Sequence, residues 1–160
     1  MEGLENIKNE EKTLLESKDQ EVADRLGSLG IKFDYSINND GKLIYNFYNV
    51  KQLGNAAFSL ETDNKTTIYQ ALHFGGENFE EPGSKKEITP DELIQYLSEK
   101  FPEASNIIFS CCYPDKARTL LNKMGDKIIF IGTGSDTYST WYNSKENKLS
   151  SVRNTKSEQI

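Results

Sequence analysis

Apolar and polar residues alternate most cleanly between Ile31 and Ile37, with Ile31, Phe33, Tyr35 and Ile37 on one side and Lys32, Asp34 and Ser36 on the other. A period of two is that of a strand with one face buried. The next residues, Asn38-Asn39-Asp40-Gly41, end in an Asp-Gly pair that suits the positive-φ positions of a tight hairpin turn. Lys42–Val50 then returns with Leu43, Tyr45 and Phe47 alternating against Ile44 and Tyr48, so residues 31–50 are predicted to form an antiparallel hairpin. Upstream, Leu4, Ile7, Leu14, Leu15, Val22 and Leu26 recur at helical spacing. They predict a helix within residues 1–30 with one narrow apolar stripe, stopped at Gly27 or Gly30. A shorter third strand is predicted at Ala56–Glu61, followed by a turn at Thr62–Lys65.

From residue 66 the pattern changes to apolar runs separated by amphipathic stretches. Thr66–Phe74 reads as a strand running into Gly75-Gly76, and a polar loop follows over residues 77–88. Thr89-Pro90-Asp91-Glu92 is a capping box with proline at the first helical position. Leu93, Ile94, Tyr96 and Leu97 supply that helix's buried face, and Phe101-Pro102 ends it. Asn106–Ser110 is a buried strand. Pro114 opens a helix with Ala117, Leu120, Leu121 and Met124 inward and Gly125 as its stop. Lys127–Ile131 is a further buried strand, closing on Gly132-Thr133-Gly134. Tyr138–Tyr142 and Lys148–Val152 are predicted to pair, and residues 153–160 to form a flexible tail.

Strand, helix, strand, helix, strand with short links implies right-handed crossovers and a parallel sheet. The expected fold class is therefore α/β, a mainly parallel sheet flanked by helices in three layers, with an N-terminal helix and an antiparallel hairpin. One domain is expected over residues 1–152, with its core at 66–142.

Composition narrows the function. The 160 residues suffice for one sizeable core, and 8 Phe, 8 Tyr and 1 Trp argue against disorder despite 28% charged residues. A net charge of −6 without a basic cluster argues against nucleic-acid binding, which needs cations against phosphates. No apolar run reaches the length of a membrane span, and the acidic start MEGLENIKNEEK has no apolar leader, so no membrane association and a cytoplasmic location are expected. Cys111 and Cys112 are the only cysteines and His73 the only histidine, which makes neither a disulfide framework nor a zinc spacing. Gly132-Thr133-Gly134 lacks the third glycine and following acidic residue of a dinucleotide fingerprint. No metal or cofactor is expected, and the oligomeric state is not legible.

Candidate chemistry lies where a parallel sheet gathers the carboxyl ends of its strands, the usual ligand edge. His73–Gly76, Ser110–Pro114 and Gly132–Asp136 would meet there. A thiolate is a nucleophile whose pKa falls beside an imidazolium or a helix start. Cys112, with Cys111 beside it, and His73 as base therefore suggest a Cys–His site. Gly75 or Gly76 would let backbone N–H groups approach an oxyanion, and Asp136 could hold a basic substrate group. Against these stand plainer readings: cysteine as a small buried residue, histidine as a loop residue, Asp136 as part of a Gly-Ser-Asp turn, and Glu77, Glu80 and Glu81 as a solvated loop. Trp141 and its neighbouring tyrosines would wall a binding site or simply cover the sheet.

The stretches LHFGG, containing His73 and Gly75, and IIFSCC, ending in Cys112, resemble the caspase-like cysteine peptidases, which include caspases, metacaspases, clostripain-like enzymes and CHAT domains. The resemblance covers about residues 66–142. It implies a caspase-like fold with Cys112 as nucleophile, aligned through Ser110, and His73 as base, acting on a peptide or protein. A second likeness overlaps it: Cys112 to Arg118 and Thr119 fits C-x5-R-T, similar to the tyrosine-phosphatase loop, with Arg118 as the phosphate clamp. The loop's lack of glycine, its Pro114 and its Asp115 oppose an anion nest. Three functions therefore stand as expectations: a caspase-like cysteine peptidase, a phosphatase, or a non-catalytic binding or accessory protein.

Overall fold

A computed structural model describes residues 20–37, 43–62, 65–132 and 137–154. Helix α1 occupies residues 20–28, the visible part of the expected N-terminal helix; residues 1–19 lie outside the described ones. It ends in a Schellman motif: Ile31 N–H donates to Leu26 O (3.3 Å), Gly30 N–H to Gly27 O (3.0 Å), and Gly30 takes φ 73°.

The hairpin forms in the expected register. β1 (Phe33–Ile37) and β2 (Leu43–Tyr48) pair Phe33 with Phe47, Tyr35 with Tyr45 and Ile37 with Leu43. The turn at Asn38–Gly41 lies outside the described residues. The short strand expected near residue 57 is β4 (Ala57–Leu60), preceded by an exposed edge strand that the pattern does not signal, β3 (Lys51–Gly54). β5 (Thr67–Ala71) follows. The expected polar loop instead contains a small hairpin, β6 (Phe79–Glu80) with β7 (Glu87–Ile88). It is held by Phe79, which is fully buried and stacked on Phe74 at 4.4 Å. α2 (Pro90–Lys100) begins with the expected capping box, Glu92 N–H donating to Thr89 Oγ1 (3.2 Å) and Thr89 N–H to Glu92 Oε1 (3.1 Å). β8 (Asn106–Ser110) leads to α3 (Pro114–Leu120). That helix is shorter than expected, and a 3₁₀ segment over Asn122–Lys127 replaces its last turn, with Gly125 at φ 58°. β9 (Ile128–Phe130), β10 (Thr137–Asn143) and β11 (Lys148–Asn154) complete the order.

Two sheets result. The central sheet runs β3-β4-β5-β8-β9, and only its β5, β8 and β9 are parallel. β3 and β4 extend it antiparallel. The second sheet runs β1-β2-β11-β10 and is antiparallel throughout. The expected mainly parallel, helix-flanked, caspase-like sheet is therefore overturned: most strand pairings are antiparallel, and while α2 and α3 cover one face of the central sheet, the antiparallel sheet together with α1 covers the other. The apolar run of β8 divides between the layers. Ile107 and Phe109 pack into the cluster with Leu93, Leu97, Ala117 and Leu121 of α2 and α3. Ile108, between them, packs with Tyr45, Phe47 and Leu149 of the antiparallel sheet and Leu26 of α1. A strand buried on both faces is apolar at every position whatever covers it, so the run is compatible with either arrangement.

Residues 153 and 154, expected in the tail, belong to β11. Arg153 sits in β11, only 2% exposed, across the register from Tyr138. Residues 155–160 lie outside the described ones. Among the described residues no helix is long and apolar enough to cross a membrane.

The turn between β3 and β4 is unusual. Asn55 and Ala56 both have positive φ (53° and 59°), the pattern of a type I′ turn. Fully buried Gln70 holds it by donating from Nε2 to Asn55 O (3.0 Å) and Ala71 O (2.9 Å), while Ala71 N–H bonds Ala56 O (3.0 Å). Replacing Ala56 with glycine is expected to stabilise the protein by about 0.5–1 kcal/mol, because the left-handed penalty of alanine exceeds the extra chain entropy of glycine. Urea denaturation would register this as a higher midpoint; a lower one would show that the turn carries no strain.

Candidate active site

Three parallel strands end at one edge, and two of them carry the chain's reactive side chains. Ala71 of β5 pairs with Ser110 of β8, and Leu72 N–H continues the ladder to Ser110 O at 3.2 Å. His73 and Cys112 each lie two residues beyond that pair. The residues that follow them also meet: Phe74 and Tyr113 pack edge to face at 6.5 Å. Tyr113 adopts a left-handed conformation (φ 53°, ψ 55°) as the residue preceding α3, turning the chain sharply after Cys112.

His73 and Cys112 line the same cavity, of about 360 Å³. Its wall also includes Ala71, Leu72 and Ser110 from the strand ends, the Asn55–Ala56 turn, residues 80–84 of the small hairpin, and Tyr138, Ser139 and Thr140 of β10. The volume is within the range of small-ligand sites, about 300–1,000 Å³. Below it, the buried Tyr69 hydroxyl and Thr140 Oγ1 share a hydrogen bond of 2.9 Å that ties the two sheets together. Burial pushes the Tyr69 phenol above its ordinary pKa, so it remains a neutral hydrogen-bonding group.

The two cysteines differ sharply. Cys111 is 2% exposed and belongs to the helix-side core. Burial, with the Cys112 sulfur adding to it and Arg118 opposing, holds its thiol far above the ordinary range, so it is not available as a thiolate. Cys112 is half-buried on the cavity side, and His73 is exposed. Just beyond the end of β8, adjacent residues thus present one thiol to the core and the other to the cavity.

Other expected site residues are not gathered here. Gly75 is exposed, and Gly76, buried at φ 106°, faces Lys116 rather than the cavity; neither lines the wall. Asp136 lies outside the described residues. Arg118 is held elsewhere: Nη1 bonds Asp115 Oδ1 (2.7 Å), Nη2 bonds Gly132 O (3.2 Å), and the guanidinium lies over Phe130 at 5.3 Å. It lines a second cavity of about 570 Å³ with Arg25, Glu21 and Asp126, away from Cys112. Arg118 is not among the residues that line the Cys112 cavity.

Among the wall residues that sequence reasoning did not place are Asn55, Ala56, Glu80, Glu81 and Thr140. The Pro82-Gly83 pair marks the turn after Glu80 and Glu81, but nothing local says that this turn docks on Asn55. The chain matches no protein-family model, and comparison with curated proteins and with solved structures finds no match for it.

Proposed function

We propose that the protein is a thiol-dependent hydrolase of the cysteine-peptidase type, with Cys112 as nucleophile and His73 as its base. The observation that carries this reading is the shared cavity: the one accessible thiol and the one imidazole of the chain open onto the same space at the ends of adjacent parallel strands. In the reaction the Cys112 sulfur attacks a carbonyl carbon while His73 takes the thiol proton. The proton then passes to the leaving group as the carbon–nitrogen or carbon–oxygen bond breaks. Water, deprotonated by the same imidazole, then attacks the carbonyl of the Cys112 thioester; the carbon–sulfur bond breaks, the acid leaves, and the proton returns to the Cys112 sulfur.

The test is the reactivity of each thiol. Iodoacetamide at neutral pH, followed by peptide mapping, is expected to alkylate Cys112 and spare Cys111. At neutral pH the Cys112 rate should fall in His73→Ala. Equal rates for the two chains would remove the dyad. An inert Cys112 would leave a binding protein as the better reading, for which Trp141, 66% exposed on the outer antiparallel sheet, is the prominent surface feature.

A further inference from the structure

We propose that the Thr140 hydroxyl, held by the buried Tyr69 phenol, is the hydrogen-bond donor to the oxyanion that forms when Cys112 attacks a carbonyl group. The proposal rests on the reading of Cys112 as nucleophile. It adds a catalytic residue, Thr140, and a positioning residue, Tyr69.

Attack by the thiolate forms the carbon–sulfur bond and moves the carbonyl π pair onto oxygen. That charge is best met by a donor fixed in place beforehand. The backbone donors expected at Gly75 and Gly76 are not on the cavity wall. Thr140 of β10 and Ser110 of β8 are, and they face the same space as Cys112. β10 packs directly against β8, so a strand of the antiparallel sheet forms one side of the cavity at the end of the parallel ladder.

Thr140 is held from beneath. Its Oγ1 lies 2.9 Å from the Tyr69 hydroxyl. Tyr69 has no exposed surface, and its ring packs on Phe47 at 5.5 Å and Phe58 at 6.3 Å. The Ser110 and Ser151 hydroxyls lie at the same phenol. Burial raises the Tyr69 pKa, with the Ser110, Ser151 and Thr140 hydroxyls opposing, so the phenol keeps its proton. A phenol is a stronger acid than an alcohol, so it donates to Thr140 Oγ1. The Thr140 hydroxyl then has its own proton to give. Thr140 is half-buried and part of the wall, so that proton is within the cavity's reach. Only a hydrogen bond is donated. When the bond to the leaving group breaks, the electron pair returns to the carbonyl and Thr140 is unchanged.

Two reactions of one thiol separate this role from a structural one. Acylation of Cys112 by p-nitrophenyl acetate passes through an oxyanion. Alkylation by iodoacetamide displaces iodide at a saturated carbon and does not. Both rates are measured on the full chain, by nitrophenolate release and by peptide mapping. Thr140→Val removes the hydroxyl and is expected to slow acylation at least about tenfold while alkylation stays within about twofold. Thr140→Ser should restore acylation. Because Tyr69 acts through Thr140, Tyr69→Phe should slow acylation alone but not further in the Thr140→Val background. A Cys111 that stays unreactive marks each variant as folded. Acylation unchanged in Thr140→Val, or slowed no more than alkylation, overturns the proposal, as does a Thr140→Ser that fails to restore it. A Tyr69→Phe effect that adds in full to Thr140→Val removes Tyr69 as the positioning residue. His73→Ala separates the two readings. If it leaves both rates unaffected and the Thr140→Val loss intact, the base is removed and the donor kept. If it slows both while Thr140→Val acylates like the wild type, the donor is removed and the dyad kept. A wild-type chain that is alkylated but never acylated removes both.

Discussion

Replacing Phe109 with alanine is expected to lower the stability of the protein by about 3–5 kcal/mol, the usual cost of deleting a fully buried aromatic ring. Phe109 has no exposed surface and sits in β8, the strand with both neighbours parallel. Its ring meets Phe79 edge-on at 6.0 Å and Phe130 at 5.6 Å, joining the small hairpin and β9 across the helix-side core. The layers around it come from distant parts of the chain and cannot close on the cavity together. Domains of this size are stable by only about 5–15 kcal/mol, so the loss is a large share of the total. In urea the midpoint should fall by more than about 1 M, given a slope of about 1–3 kcal/mol/M. Trp141→Ala, at an exposed site, should change stability by less than about 0.5 kcal/mol and serves as the comparison. A loss at Phe109 no larger than that at Trp141 would show that β8 is not the centre of the core.

His73→Ala is expected to reduce thiol-dependent ester hydrolysis by about 10²–10⁴-fold, the range that a positioned general base supplies. p-Nitrophenyl acetate is a suitable probe, because its acyl group is small. The wild-type chain should release one nitrophenolate per protein in a first, faster phase as Cys112 is acylated. Cys112→Ala should show no such phase, and Cys111→Ala should keep it. Because His73 is exposed, its removal leaves the core intact, and circular dichroism can verify that the variant is folded. Turnover that survives His73→Ala unchanged would exclude the imidazole from the reaction.

The part of the site that was legible in the sequence is the part carried by strand ends. His73 follows the run of β5 and Cys112 the run of β8, and two strands joined by a crossover that contains a helix, here with the β6–β7 hairpin before it, are commonly adjacent and parallel. That reasoning reaches His73 and Cys112; the preference for Cys112 over Cys111 rests on its place at the helix start and on the family likeness. The strand-end reasoning does not reach Glu80 and Glu81, whose surroundings read as a solvated loop. The packing that rescues this loop is Phe79 on Phe74, a contact between two aromatic residues in a segment that is otherwise polar. Nor does it reach the orientation of Arg118. The C-x5-R spacing is satisfied in the chain, yet Asp115 within the same turn and Phe130 of the next strand take the guanidinium first.

By itself the chain determined its local structure. Period-two alternation made the β1–β2 hairpin, the Thr89–Glu92 capping box started α2, Pro114 started α3, and Gly30 ended α1. Each rests on neighbours a few residues apart, where backbone sterics and hydrogen bonding decide. The tertiary structure alone decided which layers meet. The first hairpin and the last two strands, about a hundred residues apart in sequence, join through β2 and β11 into one sheet, with Leu149 opposite Phe47 and Ser151 opposite Tyr45. That sheet has one apolar face, and burying it on the central strands covers the side where a second layer of helices was expected. The apolar pattern of β8 asks only to be covered on both faces. The hydrophobic effect is indifferent to whether a helix or a sheet does so, and that choice is made by whichever apolar surface the rest of the chain has left to bury.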